Sequence, residues 1–361
     1  MIYKITSSMD ATMYEDSLTK NTGLDPILEI RNYEDDDDLY YTSRILSKFD
    51  LSKISELITA GTITSPEFYL NYYVTETNEI PLSYSLYAYP VSESWAMGVG
   101  KFNYSPITTT GVSWTWRDEV DGNAWATSSF ADYSTGSNNG GGTWYTSSQA
   151  EQSFDYQSAD LRMDVTDIVN DWLSGSYDNN GFVIKRAFAQ EESTSSFGSV
   201  KFYSKDTNTI YQPRLEVKWD DSNYASESLS PVISGTTLID DINITMRRMR
   251  PKYNVAEKAR FRINPRELYP VRTFATSSAQ MTVKYLPETS YYSVVDINGG
   301  LEVVPFDTDY TKLSCDTNGN YFDLWIDQLE PARYYKILFK IVDDTGFERI
   351  FENRYMFEVV N

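Results

Sequence analysis

The sequence predicts an all-β protein: an N-terminal jelly-roll sandwich followed by one or two smaller Ig-like β-sandwich modules. Three observations predict it. Aromatic residues are abundant, with 29 Tyr, 17 Phe and 8 Trp, and such side chains favour pleated, half-buried surfaces. Short alternating segments recur between Gly-, Asn- and Asp-rich turns. Helical periodicity is confined to two brief stretches. A chain of 361 residues exceeds one ordinary core and suits two or three domains.

The segments follow in order. Residues 10–14 and 44–50 read as strands. Ile54, Leu57 and Ile58 fall at helical spacing within 51–63, with Ser52 or Ser55 as cap. Residues 68–74 and 83–89 alternate or run apolar, as strands do. Residues 95–150 interleave five Trp with Gly, Ser, Thr and Asn, which predicts long loops over one face of a sandwich. Val165, Ile168, Val169 and Trp172 share one helical face, closed by Gly175. Residues 181–185, 201–204 and 214–219 supply further strands. A polar break at 221–231 predicts a linker between a first domain, 1–220, and a second part, 232–361. That part has strand candidates at 242–246, 259–263, 280–285, 293–296, 321–326, 335–342 and 354–359.

Composition restricts the chemistry. The chain has no histidine, which excludes Ser-His-Asp and Cys-His nucleophile systems and His-bearing zinc sites. Its one cysteine, Cys315, cannot form an intrachain disulfide, and its surroundings predict a small packed residue. Formal net charge is −21, which opposes nucleic acid and anionic membranes. No apolar run is long enough to span a bilayer, and the N-terminus has no secretory pattern. No phosphate-binding loop is present.

Blocks of the first domain, taken in order, resemble the DNRLRE domains, jelly-roll sandwiches of microbial surface proteins. Asp10-Ala11-Thr12-Met13-Tyr14 resembles the opening strand of that family. Residues 43–52 resemble its arginine-containing strand ending in Phe-Asp-Leu-Ser. Ser94-Trp95 with residues 111–116 resembles its tryptophan loop, 164–169 with Trp172 its helix, and 212–217 its closing strand. The match spans residues 8–219. Family members are usually exported with a signal and joined to repeats or wall anchors; neither pattern is read in these residues, a departure from the family that turns the expectation towards another setting. The chain's layout is similar to virion structural proteins of large tailed phages. The resemblance implies a non-enzymatic particle component made in a host cytoplasm. It would be a homo-oligomer bound to portal, neck, capsid or tail subunits, with no membrane and no nucleic acid partner.

Several constellations compete for a role. Residues 247–272 hold nine basic groups, Arg247, Arg248, Arg250, Lys252, Lys258, Arg260, Arg262, Arg266 and Arg272, against Glu257 and Glu267. This basic stretch in an acidic chain predicts a docking surface for an acidic partner or a neighbouring copy. Trp95, Trp114, Trp116, Trp125 and Trp144 would form either loop packing or a sugar-stacking platform; the platform supports the alternative of a carbohydrate-binding surface or fibre protein. Asp118, Asp121 and Asn123 around Gly122 offer a weak calcium candidate, as does the acidic run 35–38; no other cofactor is expected. Paired carboxylates could in principle hydrolyse glycosides, but no acid/base motif selects a pair, so no catalytic residue is expected. Arg44, a lone charge in an apolar strand, predicts a buried ion pair.

Overall fold

The computed structural model describes residues 1–34, 40–126, 133–135, 140–155, 160–191, 193, 197–227, 229–234, 238–270 and 282–361. The chain is mostly β, with antiparallel sheets and three short α-helices among the described residues: α1 Ser52–Thr59, α2 Thr166–Leu173 and α3 Phe188–Glu191. It divides into two compact units. One comprises residues 4–62 and 66–217. The other comprises Met1–Tyr3, Ile63–Ser65 and residues 218–361.

The N-terminal unit is a β-sandwich. Its smaller sheet orders Ile2–Thr6, Arg214–Lys218, Glu67–Tyr72 and Leu161–Asp164. The larger orders Ala150–Asp155, Ser83–Pro90, Phe182–Arg186, Tyr40–Lys48, Ile27–Glu34, Gly198–Tyr203 and Val74–Asn78, and Met9–Tyr14 also pairs with Tyr40–Lys48. Alternation decides which face each side chain takes. Phe68, Leu70 and Tyr72 point inward on one strand, and Tyr84, Leu86 and Ala88 on another. The strand Phe182–Arg186 is buried at every position, so both of its faces are covered. Phe182 packs on Trp172 of α2, ring centroids 4.6 Å apart. Val183, on the opposite face, joins a cluster with Leu46, Trp114, Trp125 and Trp144.

Both longer helices begin through an aspartate outside them. The Ser52 N–H donates to Asp50 Oδ1 at 2.9 Å, and the Thr166 N–H to Asp164 Oδ1 at 3.0 Å. Helix α1 therefore starts on Asp50, where serine caps were expected, because a carboxylate two residues upstream reaches the orphan donor first. Helix α2 buries Ile168, Val169 and Trp172 and is followed by Gly175 in the left-handed region.

The C-terminal unit has one core between two sheets. Ile242–Arg247, Lys258–Glu267, Gly319–Trp325 and Ser314–Asp316 form the first; Lys252–Asn254, Met356–Val360, Tyr334–Val342, Ser290–Asp296 and Glu302–Val304 form the second, with Glu348–Phe351 also on Tyr334–Val342. Phe261 and Phe322, opposite each other on the first sheet, stack inward. The Phe322 ring lies 4.1 Å from Tyr292 of the second sheet.

Residues 221–231, expected as a linker, are counted within this unit. Tyr224 bridges to Cys315, the Ala225 N–H donates to the Cys315 carbonyl at 2.9 Å, and Ser230–Pro231 pairs with Lys284–Tyr285. Of the strand expected over 280–285, only Lys284–Tyr285 is a strand among the described residues.

Candidate functional site

The tryptophan-rich segment is core. Trp95, Trp114, Trp125 and Trp144 are buried with Ala11, Met13, Val91 and Val112. The Trp95 indole N–H donates to the Asn180 carbonyl at 2.9 Å, and that of Trp125 to the Ser113 carbonyl at 3.1 Å. Trp116 is half-buried. Of the two readings offered for these five residues, packing describes four, because a ring enclosed by protein has no face free to stack on a sugar.

Asn21 holds the segment down. Its Nδ2 donates to the carbonyls of Met97 and Val112, both at 2.8 Å, and its Oδ1 accepts the Gly100 N–H at 2.7 Å. Nothing in the sequence distinguishes Asn21 from the other loop asparagines.

Under the tryptophans lies a buried charge cluster. Alternation along Tyr40–Lys48 and Phe182–Arg186 puts Arg44 and Lys185 on the face that Leu46 and Val183 present to the tryptophans. Arg44 donates through Nε and Nη2 to Glu191 of α3 at 3.0 and 2.8 Å, and through Nη1 to the Gly141 carbonyl at 2.8 Å. Lys185 reaches the same carboxylate at 2.7 Å. The Arg44 guanidinium also lies 4.8 Å from the Trp114 ring and 5.0 Å from Trp144. Neighbouring Arg186, fully buried, donates to the Phe197 carbonyl at 2.8 Å, and burial holds it down to about 10. Gly141 has φ +75°, and a Cβ there would sit 2.6 Å from Arg44 Nη1 and 2.8 Å from Trp114. These groups fix loops to a sheet and expose no reactive atom.

The calcium candidate is a hairpin turn. Trp116–Asp118 pairs with Asn123–Ala124, Gly122 takes φ +66°, and Asp118 Oδ1 accepts the Val120 N–H at 3.2 Å. No cluster of three or more Asp, Glu, Cys or His able to hold a metal occurs among the described residues. Asp118 closes the turn, Asp121 and Gly122 lie in it and Asn123 opens the returning strand; the run 35–38 lies outside the described residues. Cys315 is buried, and desolvation pushes its thiol up to about 11.

The basic segment is spread over both sheets of the C-terminal unit and the turns between their strands, and carboxylates on neighbouring strands and turns pair with much of it. Arg260 faces Asp323 across the sheet, Arg262 faces Tyr321, and Lys252 faces Glu358. Arg260 and Lys258 share Asp323 at 2.7 and 3.5 Å, Arg262 pairs with Asp316 at 2.5 Å, Lys252 with Glu358 at 2.9 Å, and Arg250 with Glu257. The Arg262 hydrogen bonds hold the Asp316 carboxyl below the usual carboxylate range. The expectation of nine available cations is thus corrected: five share four carboxylates. Arg247 donates to Asn264 Oδ1 at 2.8 Å, Arg248 and Arg266 are exposed with no ion pair to a described residue, and Arg272 lies outside the described residues.

Among the described residues, open grooves include two of similar size. One of about 480 Å³ on the N-terminal unit is lined by Glu67, Glu151, Asp164 and Asp167, with no cation in its lining. Another of about 470 Å³ on the C-terminal unit is lined by Val295, Ile297, Leu338 and Met356, with Lys336 and Glu352 at hand. No helix among the described residues is long and apolar enough to cross a membrane.

The chain matches no protein-family model and no curated protein.

Proposed function

We propose that this chain is a non-enzymatic structural component of a tailed phage particle, assembling by protein–protein contacts at the neck, a capsid vertex or the tail. One observation carries the reading. The side chains best suited to chemistry or ligand binding are committed to contacts inside each of the two units. Arg44, Lys185 and Glu191 form a buried network, four tryptophans are core, and five of the nine cations of the basic segment are paired in place. What such a molecule offers a partner is surface shape and surface charge. The ordered resemblance over residues 8–219 adds the particle context, because it joins a DNRLRE-like sandwich to a second β unit. The test is mass spectrometry of density-purified tailed phage particles from the source culture, before and after a high-salt wash. Peptides of this chain in fixed ratio to a capsid or tail subunit support the reading. Their absence from particles, with the chain recovered in the soluble fraction, refutes it.

A further inference from the structure

We infer that the outer sheet face bearing Arg247, Arg260 and Arg266 docks against the carboxylate-lined groove of a second copy of this chain. The inference deepens the reading of a particle component by naming the partner and both surfaces.

On the face formed by Ile242–Arg247, Lys258–Glu267 and Gly319–Trp325, the alternating outward positions hold five cations, Arg247, Lys258, Arg260, Arg262 and Arg266. Two described carboxylates, Asp316 and Asp323, answer them. Register even sets Arg247 opposite Arg262, a like-charge pairing that is unfavourable across two strands. Asp316 serves Arg262, and Arg247 is left with a neutral amide. The Tyr321 ring lies 4.2 Å from the Arg260 guanidinium and 4.7 Å from that of Arg262. A sheet face rich in Arg and aromatic rings has the composition of a protein-binding hot spot.

The same chain carries the complement. Glu67, Glu151, Asp164 and Asp167 line one groove without a cation. Glu67 and Glu151 accept tyrosine hydroxyls, and Asp164 accepts a backbone N–H, so their charge is uncompensated within the lining. Two chains of net charge −21 repel at long range, and beyond about 10 Å at 0.1 M salt that repulsion is screened. Contact between a surplus of guanidinium groups and a surplus of carboxylates then selects one orientation. Because the two surfaces differ, the contact is head to tail, and repetition closes a ring or extends a filament.

The test is sedimentation velocity of the full chain at micromolar concentration, for the wild type and two surface variants. One variant carries Arg247→Glu with Arg266→Glu, the other Glu151→Lys with Asp167→Lys. The wild type is expected to self-associate. Each variant alone should do so at least about a hundredfold more weakly, since like charges then meet. An equimolar mixture should recover association, because each supplies the surface the other needs. Circular dichroism checks that both variants fold. A wild type that stays monomeric across the range overturns the inference, as does undiminished association of either variant, or a mixture that stays monomeric. None of these outcomes bears on whether the chain is found in particles, so the two readings fail separately.

Discussion

The sharpest stability test concerns Asp10. It sits on the strand Met9–Tyr14, opposite Ser47, and is 1% exposed. Its Oδ2 accepts the Lys205 N–H at 2.7 Å, while its Oδ1 has no hydrogen-bond partner among the described residues. Burial pushes this carboxyl up to about 7 from 3.8; the nearby Asp206 charge adds to the rise, and the Lys205 N–H and ammonium oppose it. The facing groups are thus Lys205, Asp206 and the hydroxyl of Tyr72, which donates to Ser47. A carboxyl raised on folding holds its proton more tightly in the native state. Its stabilising effect is complete below pH 4 and is lost as pH rises through 7. At about 1.4 kcal/mol per pH unit, the interval from 3.8 to about 7 amounts to about 4 kcal/mol. The absence of histidine removes the usual competing titration from this window. The perturbation is Asp10→Asn, which keeps an acceptor for Lys205 and cannot ionise. The assay is urea denaturation at pH 5, 6, 7 and 8, followed by tryptophan fluorescence. The wild type should lose stability across this range, and the variant should lose markedly less and be the more stable at pH 8. Parallel curves for the two proteins would refute the argument.

Other substitutions probe the charge cluster and the loops above it. Glu191→Gln leaves Arg44 and Lys185 buried without their carboxylate and should cost about 3–5 kcal/mol in denaturant unfolding. Gly141→Ala places a methyl against Arg44 and Trp114 at a left-handed backbone position. It should destabilise by more than about 1 kcal/mol and shift tryptophan emission to the red. Cys315 should react with a thiol reagent at the unfolding-limited rate, since the group is buried and raised to about 11; prompt reaction in native buffer would contradict that placement.

Much of the β architecture was legible because alternation is a local property. Ile54 and the face of Ile168, Val169 and Trp172 were legible for the same reason. Arg44 could be read as a buried partner for a carboxylate, since a lone charge in an apolar strand must be neutralised. Which carboxylate it meets could not, because Glu191 lies 147 positions away and the chain offers 52 acidic residues. The tryptophans left packing and a sugar platform both open for a different reason. Gly, Ser and Asn around them read as surface, yet those small residues let the chain close tightly over the rings, as Gly140 and Gly141 do at Trp114. The basic segment reads as a patch in one dimension. Only the folded arrangement shows that Asp323, Asp316 and Glu358 stand against four of its nine cations, leaving a smaller surplus around Arg247 and Arg266.

The most direct test of the central proposal is cryo-electron microscopy of the tailed phage particles produced by the culture that expresses this chain. The expected result is ordered, symmetry-related copies at a neck, capsid or tail junction, with both β-sandwiches resolved against neighbouring subunits. A particle reconstructed to side-chain detail with no density for the chain would contradict the proposal.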